Sequence, residues 1–496
     1  MQRRAPHRRA PALGALALAA LAAVAQPVAA QTPPGFGGPV EDWHNLGALG
    51  LGVDVDGAAL VVKKVLPGPA QQAGIREGDR LEQVGGAALR ADGPGPVLQV
   101  VADVERAEAA RKAAPVVLGV RRGGGEPQQV PVDVPRLGAH AKTCPDKCKK
   151  CQAIVEAGVA FLARQQQGDG CFPTDLGGKT GKVVVTSLGG LALLAAGASP
   201  APGGPLDRAL GYVMNHIGKA EASPFGARPG GGNWNQENWE LGYGLMFLAE
   251  MARRTRRADV KARCAEVVAH IERNQEQSGG WAHGPGGPNA LGYLELEIVG
   301  NYLLLGLGAA KKLGLAVDAD RVGRAFAWIE QTAGPDGGVG YSPRPGQKGH
   351  GDPGRTAGAI VAFAALGAQK APFFDKMCGY FGAKLGDLPE GHVSPAMHLL
   401  AGAMAARVLG RPWDAYHDRY RLLLAAQRRP DGSFSSMPTR ESRSLRSNSD
   451  LTVGPCWTTA SYVLILALDP ERLPLLLGGD AGEDGGGRRR GPRTGN

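Results

Sequence analysis

At 496 residues the chain is too long for one ordinary core, and two or three domains are expected. Gly 76 and Pro 37 are high, but 43% of the chain is hydrophobic and no Gly-X-Y period runs through it, which excludes collagen and global disorder. The net charge of +10 sits largely at the ends: Arg3, Arg4, Arg8 and Arg9 lack acidic neighbours, and the tail sets Arg488, Arg489, Arg490 and Arg493 against Asp480, Glu483 and Asp484. No basic stripe interleaved with aromatics occurs elsewhere, so no nucleic-acid partner is expected.

In chain order, residues 1–30 read as a secretory signal. A basic start precedes an apolar stretch from Pro11 to Ala25, with Val28 and Ala30 as small residues before Gln31. Cleavage after Ala30 is expected, with retention as an anchor the alternative; the protein is then exported, periplasmic or secreted. No later segment offers about 20 uninterrupted apolar residues, so the mature chain is expected to carry no integral membrane span.

Residues 31–43 form a Pro/Gly-rich linker. Alternation then predicts strands from Gly50 and from Leu60 to Leu66, followed by Pro67-Gly68-Pro69-Ala70-Gln71-Gln72-Ala73-Gly74-Ile75-Arg76-Glu77-Gly78-Asp79-Arg80-Leu81. A strand from Leu81 to Val84, the Gly85-Gly86 hairpin, a helix from about Pro96 to Ala113 and strands Val116–Arg121 and Gln129–Val134 complete the segment. Residues 44–136 resemble a bacterial PDZ domain, a small α/β module. The resemblance implies that the amides of Leu51, Gly52 and Val53 receive the terminal carboxylate of a protein C-terminal peptide, which adds a strand to the sheet.

Residues 137–150 form a cysteine-containing linker. Cys144, Cys148 and Cys151 fall at i, i+4 and i+7, one helical face. The cluster lacks a fourth ligand nearby, and no His follows Cys151 as c-type haem attachment requires, so a disulfide at the head of the first helix is expected over a metal, with no cofactor.

From Cys151 the pattern becomes helical, and Gly-rich loops recur about every 50 residues: Gly168-Asp169-Gly170-Cys171-Phe172, Gly232-Asn233-Trp234, Gly279-Gly280-Trp281, Asp336-Gly337-Gly338, Glu390-Gly391-His392 and Asp431-Gly432-Ser433-Phe434. The helix before a loop is amphipathic, with Val260, Cys264, Val267, Val268 and Ile271 on one face. The helix after it is apolar nearly all round, as in Val183–Ala196, Gly354–Leu366 and Thr458–Leu468. Twelve helices in six hairpins imply an all-α (α/α)6 toroid over 151–470, with an open solenoid as the structural alternative, and a disordered tail over 471–496. Gln165 to Gly170 and Phe172, Gln275 to Gly279 and Trp281, and Gln427 to Gly432 and Phe434 resemble the repeat of triterpene cyclases, so the ring looks like that of the terpenoid cyclases and prenyltransferases.

The chemistry of those families is missing. There is no protonating Asp-x-Asp-Asp, Asp450 and Cys456 lack the prenyltransferase zinc spacing, and no Gly-x-Ser-x-Gly or His-Glu-x-x-His occurs. What remains is a set of polar and aromatic residues at the starts of the inner helices, which a ring would gather on one rim: Trp234, Glu237, Trp239, Glu240 and Tyr243; then His283, Tyr293, Glu295 and Glu297; then His350, Asp352 and Arg355. Glu237, Glu240, His283, His350 and Arg355 are the catalytic candidates, against the alternative that Asn and Glu cap helices while Trp fills the core. The first expectation is an exported binding or scaffold protein whose ring holds a polar or anionic ligand. The alternative is a ring enzyme, lyase or hydrolase, acting on a polysaccharide or other anionic polymer.

Overall fold

The computed structural model describes residues 43–478 except 176–177, 220–235, 285–294, 346, 393, 411 and 447. The leader, the 479–496 tail, Trp234 and Tyr293 therefore lie outside the described residues.

The N-terminal part is a small antiparallel sheet carrying two helices. Its strands are β1 (His44–Asn45), β2 (Leu51–Asp56), β3 (Ala59–Val65), β4 (Arg80–Val84), β5 (Ala87–Ala88), β6 (Val116–Arg121) and β7 (Gln128–Val132), in the order β1-β2-β3-β4-β6-β7 with β5 beside β4. The helices are α1 (Pro69–Gln72) and α2 (Gly95–Ala109). Period-2 alternation sends Leu51, Val53, Leu60, Val62, Leu81, Leu118 and Val120 inward, where Val100, Val101 and Val104 of α2 meet them. The module is docked on the helical part: Asn45 Nδ2 donates to Gln427 Oε1 at 3.0 Å and to Ser436 O at 2.9 Å, and Ala426 is part of the module's own core.

The remainder is a double ring of helices. The outer ones are α3 (Lys149–Gln165), α5 (Pro205–His216), α7 (Ala258–Asn274), α9 (Ala319–Thr332), α11 (Pro372–Lys384) and α13 (Pro412–Gln427), numbered in chain order with the inner ones α4 (Gly178–Ala195), α6 (Glu237–Thr255), α8 (Glu297–Lys312), α10 (Pro353–Ala365), α12 (Pro395–Leu409) and α16 (Pro455–Ala467). Two short helices, α14 (Arg440–Leu445) and α15 (Ser449–Val453), precede α16. Each inner helix packs on the next, α4 on α6, α6 on α8, α8 on α10, α10 on α12 and α12 on α16, and α16 returns to α4. That last contact closes the ring and excludes the solenoid.

The Gly-rich loops explain the repeat. Gly170, Gly279, Gly337 and Gly432 have φ between 88° and 98°, and in each case an added Cβ would strike a backbone carbonyl of another outer helix: Arg208, Arg324, Lys376 and Ala157 respectively. Left-handed backbone and close approach together demand glycine. Neighbouring side chains repeat the same bonds. The amides of Phe172, Val339 and Phe434 donate to the hydroxyls of Thr186, Thr356 and Thr459 on α4, α10 and α16. Gln275 Nε2 donates to Gly279 O and Arg321 O, tying the loop to α9, and Gln166 does the same with Gly170 O and Pro205 O. The bridging glutamine of the first repeat is thus Gln166, one residue beyond the expected Gln165: α3 ends at Gln165, and Gln166 is its extended C-cap, as Gln275 is that of α7.

The chain beyond 470 does not leave the ring at once. Helix α17 (Pro474–Leu477) lies against α6, α8, α10 and α12, and Leu473, Leu475, Leu476 and Leu477 are buried. The tail expected from 471 therefore begins with a leucine plug, held because apolar surface inside a ring must be covered.

Candidate functional site

All six inner helices begin at the same end of the ring, and their N-terminal ends are laced together. Lys179 Nζ on α4 meets Glu240 Oε1 on α6 at 2.7 Å; the amide of Asn238 donates to His283 O at 3.0 Å; Asn301 Nδ2 on α8 donates to Arg355 O on α10 at 3.1 Å. Asp352 before α10 pairs with His398 on α12 at 3.1 Å, Ser394 before α12 donates to Asp450, and the amide of Asp175 before α4 donates to Val453 O before α16. Helix starts leave amides without partners, and those of Asn238, Gly354, Arg355 and Ala396 find acceptors within this girdle.

Two carboxylates serve the girdle itself. Asp352 caps α10, accepting from the amides of Gly354 at 2.8 Å and Arg355 at 2.9 Å, and Asp450 accepts from Ser394 Oγ, Ser436 Oγ at 2.7 Å, the Ala396 amide at 2.9 Å and Trp457 Nε1 at 2.9 Å. Burial pushes the Asp352 carboxyl up, but His398 and Arg355 overcome it and hold it well below the usual range. Burial raises Glu240 despite Lys179 beside it.

Glu297 is different. It occupies the first turn of α8 with no solvent exposure; Asn301 Nδ2 donates to Oε1, and Oε2 has no hydrogen-bond partner among the described residues. Burial lifts its carboxyl well above the usual range, with the Asp352 charge adding to the rise and Arg355 opposing it. Such burial favours the neutral acid over the carboxylate. Aromatic rings surround this end: Tyr243 stacks on Tyr302 at 4.5 Å, Trp457 meets Tyr243 edge-on at 5.7 Å, Trp239 lies 6.0 Å from Tyr302, and the Arg355 guanidinium lies over Tyr341 at 4.6 Å. Beneath them, a cavity of about 10 Å³ lined by Asn301, Tyr302 and Gly358 has room for little more than a water.

The expected catalytic set does not come together. Glu237 pairs with His270 at 3.2 Å and Glu240 with Lys179, so both face outer or neighbouring helices. His283 accepts from Trp239 Nε1 at 2.8 Å, and burial lowers its pKa to about 4, so it stays neutral. His350 is exposed on the loop before α10, and Arg355 is buried near Glu297. Glu295, half-buried, accepts from Ser278 Oγ at 3.2 Å within its loop. Of the rim set, Trp239, Tyr243, Asp352 and Arg355 reach the centre described; Glu240 and Glu297 each keep a buried oxygen without a hydrogen-bond partner among the described residues, but Glu240 is paired with Lys179 through its other oxygen and Glu297 has no ion-pair partner there.

Leu51, Gly52 and Val53 are buried. The β2 edge that would receive a peptide is paired with the chain's own β1, in register His44↔Val53 and Asn45↔Gly52, and the Trp43 indole lies against Gly52. A peptide carboxylate reaches those amides only by displacing that strand. The expected disulfide is also absent: Cys144, Cys148 and Cys151 are free cysteines gathered about His140, so the fourth group expected to be missing nearby is present, just upstream of the cysteines.

Among the described residues no helix is long and apolar enough to cross a membrane. A family model described as a domain of unknown function (DUF6288) matches residues 151–476. No curated protein matches the sequence. Similar solved structures include the α-1,6-mannanase of Salegentibacter sp. at 12% identity and TM-score 0.43, covering 66% of this chain and 99% of that one. A family 76 glycoside hydrolase of Bacteroides thetaiotaomicron matches at 11% and 0.46, covering 71% and 83%, and a type II terpene cyclase from Scytonema at 17% and 0.40, covering 66% and 98%.

Proposed function

The chain belongs to the family of the domain of unknown function DUF6288, and for this member we propose that the polar end of the ring binds a polysaccharide and cleaves it hydrolytically, with Glu297 as proton donor. The observation that carries the reading is a neutral, buried carboxyl with an unpartnered oxygen among aromatic faces. Aromatic rings bind the apolar faces of sugars. A carboxyl kept protonated at neutral pH protonates the departing glycosidic oxygen as its bond to the anomeric carbon breaks, an ionised neighbour stabilises the positive charge that develops on the sugar, and water then bonds to that carbon and gives its proton to the carboxylate, restoring the acid. Asp352 is that neighbour: its charge acts on Glu297, and its oxygens are already occupied by backbone amides and His398, so it lends charge and moves no proton. Because Glu297 is fully buried, rim side chains must shift for a sugar to reach it.

Binding without cleavage is the competing outcome, and one experiment separates them. Wild type and Glu297→Gln are compared for binding and reducing-end release on a panel of neutral and acidic polysaccharides. Hydrolysis requires turnover by wild type and a loss of about 10²–10⁴-fold in the variant with binding retained. Undiminished turnover in Glu297→Gln, or binding with no turnover by either protein, overturns the assignment.

A further inference from the structure

The geometry points to a second site, away from the ring mouth: we propose that His140, Cys144, Cys148 and Cys151 bind a structural zinc ion that fastens the sheet module to the ring. The four ligand atoms lie within 4.8 Å of one another. His140 Nδ1 is 3.3 Å from Cys144 Sγ and 3.6 Å from the sulfurs of Cys148 and Cys151, and Cys144 Sγ is 3.3 Å from Cys151 Sγ. Ligands about 2.0–2.3 Å from a tetrahedral zinc stand about 3.5–3.8 Å apart, close to these separations. A disulfide between Cys144 and Cys151 needs about 2.05 Å. It would also leave Cys148 and His140 converging on nothing.

The surroundings are those of a metal site. His140 Nε2 meets Glu105 Oε2 at 2.9 Å, so a carboxylate orients the imidazole from its far side and directs Nδ1 at the three sulfurs. The Ala141 amide donates to Cys148 Sγ at 3.4 Å. Cys148 caps α3 and Cys151 lies in its first turn, where the helix dipole favours negative sulfur. Three thiolates and one imidazole select zinc over oxygen-seeking cations.

Position gives the role. Glu105 belongs to α2 of the sheet module, while Cys151 belongs to the first ring helix. Lys150, buried beside the cluster, pairs with Glu105 at 2.8 Å and with Glu108 at 2.7 Å, and Arg428 at the end of α13 also pairs with Glu108. The ion would therefore close the joint at the point where the linker passes from one domain to the other.

Full-length protein purified without chelators is assayed for bound metal by elemental mass spectrometry. About one zinc per chain is expected, lost in Cys148→Ser and Cys151→Ser and kept in Cys378→Ser, a cysteine outside the cluster; cobalt replacement should show thiolate-to-metal charge-transfer absorption. If the ligand variants do not fold, Glu105→Gln serves instead: it leaves all four ligands and should release zinc to a competing chelator about 10–100-fold more readily. Metal-free wild type overturns the proposal, whether its mass is two hydrogens light, from a disulfide, or all thiols titrate freely. Equal zinc in wild type and Cys148→Ser overturns it as well.

Discussion

The two ends of the ring are built from the same six inner helices and solve opposite problems. At their starts, free amides need acceptors, and the chain supplies Asp352, Ser394, Asp450 and a network that runs from helix to helix. At their far ends, free carbonyls need donors: Arg472 Nη1 donates to Ala195 O at 2.7 Å and Lys311 Nζ to Leu366 O at 3.3 Å, while leucines of α17 fill the opening. Acceptors at a helix start are carboxylates and hydroxyls, groups that also do acid–base chemistry. The polar end therefore carries the candidate site, and the other end is a seal.

One carboxyl crosses that division. Glu250, near the end of α6, accepts from the amides of Leu475 at 2.8 Å and Leu476 at 3.2 Å and pairs with Arg253 at 3.4 Å, so it holds the plug. Burial raises its pKa from 4.5 to about 7, with Arg253 opposing.

If the polar end is a structural girdle as well as a site, removing its hub should do most damage. Asp450→Ala strands four buried donors and is expected to cost about 3–5 kcal/mol, read by denaturant unfolding. A loss below about 1 kcal/mol would separate the girdle from stability. The seal should fail more mildly: Leu476→Ala creates a cavity and is expected to cost about 2–4 kcal/mol, with binding at the polar end preserved. If binding falls with it, the two ends are coupled.

The smallest effect concerns pH. Glu250 binds its proton more tightly in the folded protein than in the unfolded chain, so that contribution is complete below about pH 4.5 and is lost as pH rises through 7. Glu250→Gln should flatten this fall, at most about 3 kcal/mol across the range and less at any one pH. An unchanged Tm–pH profile in the variant would remove Glu250 from control of the plug.

Much of the ring was legible in the chain because its repeat obeys local rules. Gly170, Gly279, Gly337 and Gly432 mark turns that only glycine makes, and all-round apolar stretches mark helices with neighbours on every side. From these, six inner helices, their common direction and the residues at their starts follow without coordinates. Glu237 and Glu240 stood out in sequence for their density. Their actual partners, His270 and Lys179, come from an outer helix and from the preceding inner one.

By itself, then, the sequence determined period, helix type and which end of each inner helix bears polar residues, since backbone dihedrals and hydrophobic periodicity depend on near neighbours. Tertiary structure decided the chemical state of those residues. The closed ring buries Glu297 and so favours its neutral form, while His398, from the next inner helix, lies beside Asp352 and favours its ionised form. Trp43 and β1 cover the Leu51–Val53 edge, and His140 joins three cysteines under the orientation of Glu105. Solvation and charge at a site are set by whatever packs against it, and those groups come from distant parts of the chain.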